Sequence, residues 1–271
     1  MRAAAPRAFP GGSLLDADDL RPFVTGLAER SGDVLRRHFR SPGLSVETKG
    51  DDSPVTIADR EAEEVLRAAI RRRFPDHGII GEEFGTEKGN ADTVWVLDPI
   101  DGTISYVAGV ALFGTLIGVI HRGRPILGAI HQPITRELVI GTSSGTTLGD
   151  RPTRVRDTRT LASCTLLTTD PTLILDHIGR GAYDRFEALT REVGTYRGWG
   201  DCYGYLLVAT GRADAMADPI LHPWDLLPLI PVVEGAGGVI TTWTGDDPVD
   251  GSSAVAASPR LHGEILRALA G

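Results

Sequence analysis

The chain is poor in the residues that build covalent or soft-metal frameworks. Cys164 and Cys202 are the only cysteines in 271 residues, so at most one bridge can form and a disulfide-stapled secreted scaffold is excluded. Histidine is scarce too, and His121, His131 and His222 stand in or beside apolar runs without ligand spacing, which assigns them structural roles. Basic side chains are outnumbered, 28 against 36 acidic, for a net charge of −8, so nothing draws the chain to nucleic acid or to an anionic membrane. No window reaches the roughly 18 apolar residues of a membrane span. Residues 1–13 lack the apolar centre of a signal peptide and read as a loose tail. A soluble, cytoplasmic protein is the expectation.

What is present is an ordinary core and an unusual placement of acid. An apolar content of 41% over this length supports one large domain or two closely joined halves, here divided as 1–149 and 150–271. Leu20, Phe23, Val24, Leu27, Val34, Leu35 and Phe39 recur at helical spacing, predicting an amphipathic helix over about residues 16–39. Thr56-Ile57-Ala58-Asp59 fits a capping box that opens a second helix, whose stripe of Ala62, Val65, Leu66, Ala69 and Ile70 ends at Phe74-Pro75. Between them, Lys49 to Pro54 is polar and turn-rich, a loop expected to be mobile.

Short β-rich runs follow at residues 94–97, 114–120, 126–131 and 137–141, closely spaced enough for an antiparallel meander. Beyond Gly149 the pattern alternates: helices over 200–210 and 224–236, strands over 239–243 and 253–257, and a last helix opened by Ser258-Pro259. Helices layered on two sheets around a shared core are the expected architecture.

The segment Trp95-Val96-Leu97-Asp98-Pro99-Ile100-Asp101-Gly102-Thr103 runs a buried-looking strand straight into two carboxylates and a glycine. An isolated Asp-Pro or Asp-Gly is usually just a turn. Ending an apolar strand in paired acids is unfavourable unless they bind something. A helix starting after Gly102 would turn free N–H groups toward an anion. Glu82-Glu83 place another acidic pair after Ile79-Ile80-Gly81, and Trp224-Asp225 opens a helix closed by Gly237-Gly238. Carboxylates converging without histidine or cysteine favour hard, oxygen-seeking ions such as Mg²⁺ over zinc.

Taken together, Gly81-Glu82-Glu83, Asp98–Thr103, Trp224-Asp225 and Ala236-Gly237-Gly238 resemble the signatures of the inositol monophosphatase superfamily over about residues 45–260. The resemblance implies an α+β fold, an αβαβα layered sandwich of the sugar phosphatase type. It also implies a phosphomonoesterase using about two or three Mg²⁺ ions, a small phosphorylated metabolite as substrate, and frequent homodimers. Carried over by position, Glu82, Asp98 and the Ile100 carbonyl would hold one metal, and Asp98, Asp101 and Asp225 a second. Asp59 and Thr103 would orient the attacking water, and Lys49 would lie in a loop near the site. Gly102 and Thr103 would meet the phosphate.

Within the superfamily, the run from Arg197 to Tyr205 and that from Asp218 to Asp225 are most similar to the bacterial histidinol-phosphate phosphatase branch. Asp201 and Asp218 match positions that touch the organic part of the substrate, where two carboxylates favour a cationic leaving group such as histidinol. Asp201 as a plain helix cap is the simpler alternative. Trp199, Tyr203 and Tyr205 are either pocket lining or core. Three departures concern the pocket or its supports: Ile104 where relatives carry a polar or basic residue, Ala111 in place of a frequent proline, and Pro228 inside the Trp-Asp helix. An inositol or other polyol phosphatase, and a non-catalytic metal or phosphate sensor, are the competing readings.

Overall fold

The computed structural model describes residues 16–42, 46–48 and 54–270. Residues 1–13 and Lys49, expected in a tail and a mobile loop, lie outside the described residues.

Helix α1 (Arg21–His38) and a ribbon of β1 (Val46–Thr48) against β2 (Pro54–Thr56) precede α2 (Ile57–Arg73). The capping box forms: Ala58 N–H donates to Thr56 Oγ1 at 3.1 Å, and Thr56 N–H to Asp59 Oδ2 at 2.7 Å. Three arginines in the last turn of α2 suit the negative end of its dipole. α1 and α2 share an apolar seam, Leu20, Val24 and Leu27 against Leu66 and Ile70, and cover one face of a large sheet.

That sheet contains β3 (Gly78–Gly81), β4 (Gly85–Glu87), β5 (Thr93–Asp101), β6 (Gly114–His121), β7 (Arg124–Gln132), β8 (Glu137–Thr142), β9 (Gly145–Leu148) and β10 (Arg151–Thr153), in the order β10-β9-β8-β7-β6-β5-β3-β4. From β5 to β8 it is the antiparallel meander the sequence predicts; β9 and β10, not anticipated, continue it antiparallel, and β3 is added parallel to β5. A short helix, α3 (Thr103–Val107), leaves the end of β5.

A second sheet holds β11 (Thr165–Leu167), β12 (Thr195–Arg197), β13 (Ala215–Asp218), β14 (Val239–Thr241) and β15 (Ala254–Ala257), ordered β12-β11-β13-β15-β14. Between β11 and β12 run α4 (Thr172–His177) and α5 (Arg180–Glu192); α6 (Asp201–Ala209) follows β12, α7 (Pro223–Gly235) follows β13, and α8 (Pro259–Ala270) ends the chain. α6 and α7 lie between the two sheets, while α5 and α8 cover the far face of the second. The layers therefore run helix, sheet, helix, sheet, helix.

α7 is apolar all round because it has a sheet on both sides. Pro228 stands beyond its first turn, as does Pro231, and each deletes an intrahelical hydrogen bond. Both seat against glycines of the large sheet: a Cβ on Gly128 would lie 1.8 Å from the Pro228 carbonyl oxygen, and one on Gly141 would lie 2.2 Å from that of Pro231. Glycine is what lets helix backbone touch sheet backbone here. Cys164 and Cys202 are buried free thiols. Among the described residues no helix is long and apolar enough to cross a membrane.

Candidate active site

Four chain segments meet at the end of β5. The strand delivers Asp98 and Asp101 from either side of a register irregularity, Asp98 opposite Leu116 and Asp101 opposite Gly114 of β6. Asp98 Oδ1 accepts from Ile100 N–H at 2.9 Å, and Thr103 donates its hydroxyl to the Ile100 carbonyl at 3.0 Å, which closes the turn on itself. Gly102 caps α3 with φ of 91°. A Cβ there would sit 2.8 Å from the Leu112 carbonyl and 2.9 Å from Asp201 Oδ2, so only glycine fits.

Asp225 arrives on the first turn of α7, where its Oδ2 accepts from His222 N–H at 2.8 Å. Ligand oxygens of Asp98, Asp101 and Asp225 all lie within 4.8 Å of one another. Glu82 follows β3, its N–H bonded to the Leu97 carbonyl at 3.1 Å, and its charge acts on Asp59, Asp98, Asp101 and Asp225 alike. Asp59, from the first turn of α2, is buried; Oδ2 takes both Thr56 donors and Oδ1 has no hydrogen-bond partner.

Packing so many acids together penalises their charge. Burial, reinforced by Glu82, Asp101 and Asp225, holds the Asp98 carboxyl well above the usual carboxylate range. Asp101 is raised by burial and by Asp225, against the opposing Cys202 N–H, which donates to Asp101 Oδ2 at 2.5 Å. Burial pushes Asp225 up to about 7, and Asp59 up to about 6 despite its Thr56 hydrogen bonds.

Such a donor set fits a hard cation: oxygen-only ligands, an orphaned buried oxygen on Asp59, and mutual repulsion that bound positive charge would relieve. Asp98, Asp101 and Asp225 are the side chains brought close enough to hold one jointly, with Glu82 beside them. Oxygen-only donors of this kind suit hard divalent cations.

A cleft of about 360 Å³ lies beside the cluster and reaches it through Glu82; Asp98, Asp101 and Asp225 do not themselves line it. Glu82, Gly102, Thr103, Thr169, Asp170 and Asp201 line it, and Ile104, 75% exposed, and Leu112 add apolar surface. No lysine or arginine lines it among the described residues. An organic phosphate would therefore meet carboxylates there with no cationic side chain among the described residues to offset their charge.

Asp201 does border the cleft, but it does not cap α6; Gly200 is the N-cap, and Asp201 adopts φ of 53° with its N–H donated to Thr169 Oγ1 at 2.8 Å. Asp218, expected at the wall, is only 2% exposed and sits behind it. Its Oδ1 accepts from Thr169 N–H at 2.9 Å and its Oδ2 from the Tyr205 hydroxyl at 3.0 Å, so the short aspartate side chain is spent on holding the β11 turn. Trp199, Tyr203 and Tyr205 are not among the cleft's lining residues; Tyr205 is core, and Tyr203 packs beside the central cluster. Sequence reasoning missed Thr169 and Asp170, because Thr-Asp-Pro reads as an ordinary turn; indeed Asp170 Oδ1 accepts from Thr172 N–H at 2.8 Å. His131 is buried and neutral, pushed down to about 4 by desolvation, in keeping with a structural role.

Residues 16–271 match the family model described as the inositol monophosphatase family. A histidinol-phosphatase from Chlorobaculum parvum is 38% identical over 90% of this chain and 93% of its own length. The bifunctional phosphatase IMPL2, chloroplastic, of Arabidopsis thaliana is 44% identical over 81% of this chain, which spans 63% of that relative's length. Among solved structures, an inositol monophosphatase from Zymomonas mobilis superimposes with a TM-score of 0.83 at 34% identity, covering 96% of this chain and 100% of its own.

Proposed function

The chain belongs to the inositol monophosphatase family and is a phosphoric monoester hydrolase, and on that premise we propose that it is a Mg²⁺-dependent phosphatase acting on histidinol phosphate or a closely similar cationic metabolite. The reading extends to a cytoplasmic homodimer.

The metal ligands in this reading are Glu82, Asp98, the Ile100 carbonyl, Asp101 and Asp225. Bound there, Mg²⁺ supplies Lewis-acid polarisation of the phosphate and charge neutralisation for the displaced oxygen. Asp59 holds the proton given up by the attacking water: its free Oδ1 is an acceptor, and a carboxylate raised to about 6 is a stronger base than an ordinary aspartate. Thr103 orients that water, and the backbone from Gly102 to Thr103 meets the phosphate. Asp201 and Asp170 form the acidic border that recognises a positively charged leaving group.

The observation that carries the substrate assignment is Asp201. Its carboxyl borders the cleft in a left-handed backbone conformation, at the start of a helix it does not cap, and burial with the charges of Asp101 and Asp218 holds it well above the usual range. A substrate cation stabilises it there, whereas a neutral polyol does not. Phosphate release from histidinol phosphate and from inositol phosphate, both with Mg²⁺, tests the assignment. Asp201→Asn keeps a residue that tolerates left-handed backbone and removes only charge. It should lower kcat/KM for histidinol phosphate about tenfold or more while leaving inositol phosphate nearly unchanged. Equal losses on both substrates would refute the cationic reading. Similarity to the Zymomonas mobilis protein favours a polyol phosphate as the second reading, and the same assay decides between them. No release from any phosphomonoester would leave the non-catalytic sensor.

A further inference from the structure

α2 carries a second charged pair one and two turns beyond Asp59 on the same face. Glu63 is fully buried and Arg67 is 3% exposed; Arg67 Nε donates to Glu63 Oε1 at 2.7 Å. Together they grip the turn that follows β3. Glu83 N–H donates to Glu63 Oε2 at 2.8 Å and Phe84 N–H to Oε1 at 3.3 Å, while Arg67 Nη2 donates to the Gly85 carbonyl. The fit leaves no slack: a Cβ on Gly81 would lie 2.1 Å from Glu63 Oε1. Phe84 lies across the Arg67 guanidinium at 6.0 Å.

Glu82 lies between two anchors. Its own N–H is tied to β5, and the next two amides are tied to Glu63. A buried ion pair adds little net stability over apolar residues of the same shape, because both ions must be desolvated. What a carboxylate provides that an apolar residue cannot is two acceptors in a fixed plane for successive backbone N–H groups.

We propose that Glu63, held in place by Arg67, is a positioning residue that sets the direction of Glu82 toward the metal site and couples it to Asp59 through the rigid helix α2. The proposal rests on the metal reading of Glu82 given above.

Titration of the full chain with Mn²⁺, followed by electron paramagnetic resonance, tests it without reference to turnover. Glu63→Gln offers one acceptor for two N–H groups and leaves the Arg67 charge only its longer contact with the half-exposed Glu87, at 3.7 Å; its Mn²⁺ dissociation constant should rise tenfold or more, and the Mg²⁺ concentration for half-maximal activity should rise in parallel. The double variant Glu63→Gln/Arg67→Met removes both buried charges, so its Tm should recover while Mn²⁺ affinity stays weak; it also carries the test if the single variant does not fold. Unchanged Mn²⁺ affinity in the single variant, or recovery of affinity together with Tm in the double, would show a merely structural pair and overturn the proposal. Wild-type protein that binds Mn²⁺ no better than Asp101→Asn would sink the metal reading itself, and with it this role for Glu63.

Discussion

Asp59 shows how one side chain can trade stability for chemistry. Its carboxyl is raised from about 3.8 to about 6 by burial, so ionising it costs the folded state more than the unfolded chain. For an acid raised in this way, the folded protein is favoured by low pH and loses stability as pH rises from about 4 through about 6. At about 1.4 kcal/mol per unit, the penalty at pH 8 is on the order of 2–3 kcal/mol. Asp59→Asn can keep an acceptor for Thr56 and escapes the penalty. Metal-free Asp59→Asn is therefore expected to melt roughly 5–10 °C above the wild type at pH 8, with the gap closing by pH 4, while turnover falls a hundredfold or more. Calorimetry in EDTA at the two pH values, beside a phosphate-release assay, checks both halves. A lower melting point at pH 8 would show that Asp59 is mainly a cap. Asp218 is the converse case: it is buried, and its carboxyl accepts from the Thr169 N–H and the Tyr205 hydroxyl, which ties it to the β11 turn.

At the scale of elements, α7 is the piece on which the site depends, because it brings Asp225 to the β5 acids. Its prolines look like errors in sequence, each removing a hydrogen bond. In the fold they face the large sheet, where Gly118 and Gly128 leave room for Pro228 and Gly141 for Pro231. Gly128→Ala should drive a methyl group into the Pro228 carbonyl and push α7 off the sheet. A loss of about 3 kcal/mol or more is expected, seen as a fall in Tm of roughly 10 °C or as insoluble protein. A variant melting within a degree or two of wild type would mean that the contact is not rigid. The capping box of α2 was legible because Thr and Asp are standard partners at that spacing. The equivalent pair at α7, His222 with Asp225, was not, since histidine is an uncommon N-cap.

For the molecule as a whole, the acidic cluster makes metal, protons and stability one linked system. Asp225, at about 7, and Asp98 and Asp101, both held above the usual carboxylate range by burial and by neighbouring carboxylates, hold protons that a bound cation must displace as pH falls. Stabilisation by Mg²⁺ should therefore grow between pH 6 and pH 8. The rise in Tm produced by a fixed millimolar Mg²⁺ excess should be several degrees at pH 8 and markedly smaller at pH 6, read by scanning fluorimetry against EDTA-treated protein. His131 works in the opposite direction: it is depressed to about 4, so its contribution is full above 6.5 and lost as pH falls toward 4. It affects metal-free and loaded protein alike and cancels from the difference. A Mg²⁺ effect that is flat across this range would argue against these carboxylates as the ligands.

The sequence by itself determined what is local: α2 and its cap, the meander of strands, and the two carboxylates that end β5. These follow from periodicity, turn chemistry and the cost of placing acid at the end of a buried strand, none of which needs a distant partner. Only the tertiary structure decided which acids share a cluster, that Thr169 and Asp170 join the cleft and that Asp218 stands behind it. It also decided that Glu63 spans from α2 to the Glu82 turn. Those relations depend on how α2, α6 and α7 lie against the two sheets. Packing of whole faces sets that arrangement, and the spacing of residues along one chain carries no record of which faces will meet.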